Sequence, residues 1–294
     1  MNNSITAAVL IASSAAVFAF APAGGNNDLP HVFESGTPAR AAEVNENFQS
    51  LLTRIQELEL QIETLVDKTQ FMTVVQEDLN GMAGPHMVIE GANVHVRSGS
   101  GATDDGGTPT GLGNLVIGYN EIGSLSPADR IGAHNFVMGK RNAYTKIAGI
   151  VAGADNRIDG TFAAIIAGRH GRVSGEFSSI TGGGGETPNL FNEVIGEYAS
   201  INGGFRNMAS GDQSAISGGS NNEATGFLTS ILGGTSNVAS GAGAAVSGGA
   251  GNEATGANAA ISGGQNGQAG GVSSSVTGGL SRSVTQNFDC ADCN

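Results

Sequence analysis

The sequence predicts a mainly β protein, a parallel β-solenoid of 15-residue rungs preceded by an N-terminal coiled-coil helix. Three observations lead there. A block of 15 residues recurs along the chain from about Gly113. One glycine and one apolar residue keep a fixed spacing through the copies. Upstream, apolar residues recur in heptads from Ala41.

The blocks align without gaps. DQSAISGGSNNEATG (Asp212–Gly226) is followed by FLTSILGGTSNVASG (Phe227–Gly241) and AGAAVSGGAGNEATG (Ala242–Gly256). The register glycines are Gly118, Gly139, Gly153, Gly168, Gly183, Gly204, Gly219, Gly234, Gly249, Gly264 and Gly279. Most steps are 15 residues, one is 14 and two are 21. The long steps imply protruding loops at Glu121–Arg130 and Gly184–Asn192.

Three residues before each register glycine stands an apolar residue. After Leu115 and Phe136 the series runs Ile150, Ile165, Ile180, Ile201, Ile216, Ile231, Val246, Ile261 and Val276. Nearly all are β-branched, which suits a strand. Stacked once per rung, they are expected to form the core ladder. Three residues after the glycine, Asn recurs at Asn142, Asn156, Asn207, Asn222, Asn237 and Asn252. Asn tolerates left-handed backbone and bonds its own turn, and stacked amides can bond from rung to rung. A second apolar position follows at Ile158, Ala209, Ala224, Ala239 and Ala254. Each rung therefore reads as strand, Gly-Gly corner, Asn turn, short strand and Gly corner. At about 4.8 Å per rung the stack is roughly 50 Å long.

For the helix, Phe48, Ile55 and Ile62 fall at heptad position a, and Val44, Leu51, Leu58 and Leu65 at d. Glu43, Glu46, Gln49, Gln56, Glu57 and Glu63 supply the polar face. The segment is about 40 Å of coiled coil. Thr37 is a candidate N-cap, with Pro38 at the first helical position. Met87–Ile89 and Val94–Val96 read as short strands, with a bulge or turn at Gly91 between them. Ser98–Gly113 reads as loop.

Composition narrows the function. Glycine reaches 48 of 294 residues, Trp is absent and aromatics are 5%. Thin stacked layers fit this better than one large core. Net charge is −13, from 13 Lys+Arg and 26 Asp+Glu. That opposes nucleic acid, whose phosphates demand basic patches, and docking on anionic lipid. Ile5–Ala23 is apolar and Ala-rich and ends in a small-residue cleavage pattern, so it reads as a signal peptide. No other segment is long and apolar enough for a membrane helix, so the mature chain is expected to be secreted, extracellular or at the cell surface. Cys290 and Cys293 form half of a four-Cys zinc site, but an exported chain favours a disulfide.

The residues offer little catalytic chemistry. His31, His86, His95, His134 and His170 are scattered, without ligand or triad spacing. The acidic turns at Asp104-Asp105 and Asp155–Gly160 do not match the β-roll calcium repeat. Glu186 and Glu193 are the one carboxylate pair worth testing for glycoside cleavage. No enzyme activity, cofactor or metal is expected.

The blocks Ala-x-Ser-Gly-Gly-x-x-Asn-x-Ala-Ser/Thr-Gly resemble the YadA-like head repeats of trimeric autotransporter adhesins. The resemblance covers about Gly113 to Gln286. It implies a left-handed parallel β-roll, three chains about one axis, and an adhesive function towards a host, matrix or glycan surface. Arg54-Ile55-Gln56-Glu57-Leu58-Glu59 also resembles a known trimerisation motif, in which Arg54 and Glu59 pair over Ile55 and Leu58. The chain departs from the family in placing its coiled coil before the head. Val284–Asn294 has no alternating apolar strand or terminal aromatic, so a self-anchoring barrel is not expected. The expected division is a signal peptide at 1–23, linker at 24–40, coiled-coil stalk at 41–69, β connector at 70–113, β-roll head at 114–286 and a Cys-containing tail at 287–294. The expected whole is a secreted homotrimeric fibre without catalysis. The alternative is a phage-tail-fibre-like or carbohydrate-processing solenoid.

Overall fold

No strand beyond Leu115 exceeds six residues, because a Gly or Asn turn interrupts the chain before it can run further. In the computed structural model, which describes residues 29–291, these short strands stack into a parallel β-solenoid of about 10 turns. The signal-peptide segment and Cys293 lie outside the described residues. The chain divides into two units between Asn93 and Val94.

The first unit holds helix α1 (Ala41–Thr69) and a hairpin of β1 (Met72–Val75) and β2 (His86–Ile89), paired antiparallel. The helix begins where the heptads begin. Its N-cap is Arg40 without a side-chain bond, not Thr37. The Thr37 hydroxyl instead donates to Glu34 O at 2.8 Å and closes a turn ahead of the helix. β2 covers the expected Met87–Ile89, but its partner is Met72–Val75, and Val94–Val96 forms no strand. Asn80 and Gly81, both at positive φ between bridged Leu79 and Met82, make the tight turn within the hairpin.

The second unit is the solenoid. Its strands form one sheet of 12 and one of 10: ten turns add a strand to both, and β3 (Leu115–Ile117) and Cys290–Ala291 extend the larger sheet alone. Parallel pairing is in register, Ile201 beside Ile216 and Ile216 beside Ile231 in the larger sheet. In the smaller sheet, Ala209 lies beside Ala224. The core is two facing ladders. Val137, Val151, Ile165, Ile180, Ile201, Ile216, Ile231, Val246, Ile261 and Val276 come from the larger sheet. Tyr144, Ile158, Val173 and Val194, then Ala209 to Ala269, come from the smaller. A third row of small buried residues, such as Ala199, Ser214 and Thr229, fills the corner.

One expected ladder member is corrected. Ile150 is 43% exposed, and its neighbour Val151 takes the inward place. Val151 lies opposite Ile165 and Gly153 opposite Gly168, so the later turn fits one more residue between ladder and glycine. Side chains alternate faces along a strand, so that single residue turns Ile150 outward. Leu115 is exposed as well, and in β4 (Phe136–Lys140) Val137 replaces Phe136 at the inward position.

Between the sheets runs an asparagine column, each member fully buried. Asn222 is typical. Its N–H donates to Asn207 Oδ1 at 3.0 Å, and its own Oδ1 accepts from Asn237 N–H at 3.0 Å. Its Nδ2 donates to Gly218 O at 3.0 Å and Gly234 O at 3.1 Å. Stacking is thus amide to backbone, not amide to amide. The column accepts the buried backbone N–H groups that a tight corner would orphan. Where Gly171 and Gly267 replace Asn, their N–H groups still cap the preceding Oδ1, at 2.9 and 2.8 Å.

Candidate functional site

Three surfaces stand out on the two units. The first is the apolar seam of α1. Phe48, Leu51, Ile55, Leu58, Ile62 and Leu65 are each 41–62% exposed. Arg54 and Glu59 flank Ile55 and Leu58 and are exposed too. The start of the seam meets the preceding segment of its own unit. The supposed linker lays Leu29, Val32 and Phe33 along Val44, Phe48 and Leu51. Asn47 clamps it, its Oδ1 accepting from His31 N–H at 2.9 Å and its Nδ2 donating to His31 O at 2.7 Å. His31 Nε2 also pairs with Glu46, a contact that spacing alone did not reveal.

The second surface is the first loop with the charged residues under it. Pro127–Arg130 forms a short 3-10 turn. The Ser126 N–H and hydroxyl both donate to Asp129 Oδ2, at 2.8 and 2.9 Å. Arg157 reaches from the solenoid to Asp129 Oδ1 at 2.5 Å and to Asp159 at 2.6 Å. Arg157 foremost, then the Ser126 donors, push the Asp129 carboxyl down to about 2. One turn away, Arg141 grips Asp155 through two bonds of 2.5 and 2.8 Å and holds that carboxyl below the usual range. The acidic turn at Asp155–Gly160 is therefore ion-paired, and among the described residues no group of three His, Cys, Asp or Glu side chains could hold a metal ion.

The third surface is a stack of aromatic rings. Phe162, Phe177 and Tyr198 occupy equivalent left-handed turn positions, two residues after a corner glycine. Their ring centroids are 5.2 Å apart, at interplanar angles of 13° and 4°, and 47–57% of each residue is exposed. The repeat carried the signal, since position two of three successive blocks is aromatic. In the second loop, the Arg172 guanidinium lies 4.7 Å from the Phe191 ring centroid. Glu193 sits on a strand beside Arg172 and Met208, while Glu186 is exposed on the loop. No hydrogen bond or ion pair joins the two carboxylates among the described residues.

Cys290 is disulfide-bonded at the last described turn. No described helix is long and apolar enough to cross a membrane. No protein-family model and no curated protein matches the sequence.

Proposed function

We propose that the chain is a secreted, homotrimeric, adhesin-like fibre protein without catalysis. In this reading three α1 helices form a coiled-coil stalk and three solenoids form a β-roll head of 15-residue rungs. The head offers its loops and its aromatic stack, three times over, to a host, matrix or glycan surface. Multivalency turns weak single contacts into useful avidity.

The bare seam of α1 carries the proposal. Burying a side chain of Leu or Ile size stabilises by about 1.5–3 kcal/mol, and six such residues lie in one heptad row. Copies of the same helix cover such a row through knobs-into-holes packing. The trimer number rests on the Arg54–Glu59 motif and on the resemblance of the repeats.

The head adds support. Gly203, Gly218, Gly233, Gly248, Gly263 and Gly278 form a column in which a Cβ would meet nothing within 4 Å. None has positive φ. Neither sterics nor conformation within one chain calls for glycine there. A second backbone approaching that face gives a reason for it.

Light scattering on the mature protein tests the proposal. The expected mass is three chains, falling to one in Ile55→Lys/Leu58→Lys while the β circular-dichroism signal persists. A wild-type monomer would sink the trimer. Glycan and matrix-protein arrays then test adhesion, and turnover of an arrayed glycan would displace the non-catalytic reading.

A further inference from the structure

His134 sits where the segment before the solenoid meets its first turns. The main chain of Arg97 and Ser98 lies directly on Gly113, where a Cβ would come within 2.7 Å of Ser98 N. Both ring nitrogens of His134 bind this segment's backbone. Nε2 lies 3.0 Å from Ser98 N, and Nδ1 lies 2.9 Å from Thr103 O. A backbone N–H can only donate and a carbonyl can only accept. The ring must therefore be neutral, with its proton on Nδ1. A proton on Nε2 would face the Ser98 N–H donor to donor.

We infer that His134 is an acid-sensitive latch, which holds the 98–103 segment on the solenoid's N-terminal end when neutral and releases it when protonated. The charged and titratable groups around the ring are few. Asp105 lies 4.0 Å from Nδ1, and His95 and Arg97 line the same cavity. Asp105 accepts from Ser100 Oγ, Ser98 Oγ, Thr110 Oγ1 and Thr110 N–H, at 2.5–2.8 Å. Those donors, Ser100 and Ser98 foremost, hold its carboxyl far below the usual range. Asp105 thus stays ionised across the imidazole range of about pH 5–8, and its own bonds do not change there. A contact made only by the neutral ring is present at high pH and lost as pH falls.

Amide hydrogen exchange on the full chain, corrected for intrinsic rates, is the test. Between pH 7.5 and 5, protection of residues 97–103 should fall about ten-fold more than that of residues 200–260. His134→Gln offers one acceptor and one donor without titrating, and should remove the pH dependence. His95→Gln should leave it as in the wild type. A pH-flat wild type, or a fall that persists in His134→Gln, overturns the latch. Should that variant not fold, NMR of the wild type decides. The Nδ1–H tautomer at high pH, and a Ser98 amide shift sharing the midpoint of His134, support the latch. Separate midpoints overturn it.

Discussion

Ile55, Leu58 and Ile62 on the helix and Ile201, Ile216 and Ile231 in the solenoid are the same kind of residue with opposite fates. The first three are 51–59% exposed and the second three are 0–1% exposed. A solenoid residue finds its apolar partner one turn away in the same chain, so stacking completes the core. A seam residue beyond Leu51 stays exposed among the described residues of its unit. In the proposed trimer, folding and assembly draw on separate residues, and mutations can address each alone.

The two neighbouring glycine columns give the largest contrast. Gly219 has φ +85°, and a Cβ there would lie 2.1 Å from Gly234 O, the backbone of the next turn. Gly219→Ala should cost several kcal/mol, about the scale of a serious backbone clash, and lower the melting temperature sharply. Gly218→Ala meets open space at an ordinary φ. It should leave the single-chain fold intact and weaken the assembly. Melting curves beside light scattering read both effects. Equal damage to the fold from the two variants would break the distinction.

Asn222→Ala should come next. It strips an acceptor from the buried Asn237 N–H and donors from Gly218 O and Gly234 O in part-buried bonds. A buried group left unpaired costs about 1–3 kcal/mol, so a loss of about 2 kcal/mol is expected in chemical denaturation. Hydrogen exchange should place the opening in the adjoining turns. A loss no greater than that of Ser220→Ala, at a half-buried position outside the column, would show that the column does not hold the turns together.

The repeat made the solenoid legible, because a strand ladder needs the same residue at the same place in every turn. It also placed the Asn column and the second ladder at Ala209, Ala224 and Ala239. The reading failed where counting from the glycine crossed a bulge, and there Ile150 was mistaken for Val151. The heptads placed α1 to the residue. They were silent on the strap, because Leu29, Val32 and Phe33 have no period and Asn47 falls at position g beside the seam, where a polar residue is ordinary. The hairpin was half seen. Asn80-Gly81 signals a two-residue turn, and Met72–Val75 is rich in β-branched residues. The His134 contacts join residues 31 and 36 positions apart, and no local pattern announces them.

The smallest expected effect lies in the first loop, where neither ladder nor seam is involved. Asp129 titrates at about 2 in the fold against an ordinary 3.8. A lowered folded value means that the ionised carboxylate favours the fold. The contribution is complete above about pH 4 and fades as pH falls from there to about 2. The pair is partly solvated, so its weight is modest. Arg157 is the largest cause of the shift. In Arg157→Gln the Asp129 carboxyl midpoint, followed by carbon NMR, should move up towards 3.8, and the loop should loosen earlier on acidification. The bonds from Ser126 remain in that variant, so the midpoint should stay below the ordinary value. An unmoved midpoint would mean that Ser126 alone sets it, and that the loop is held by its own turn instead of by the solenoid.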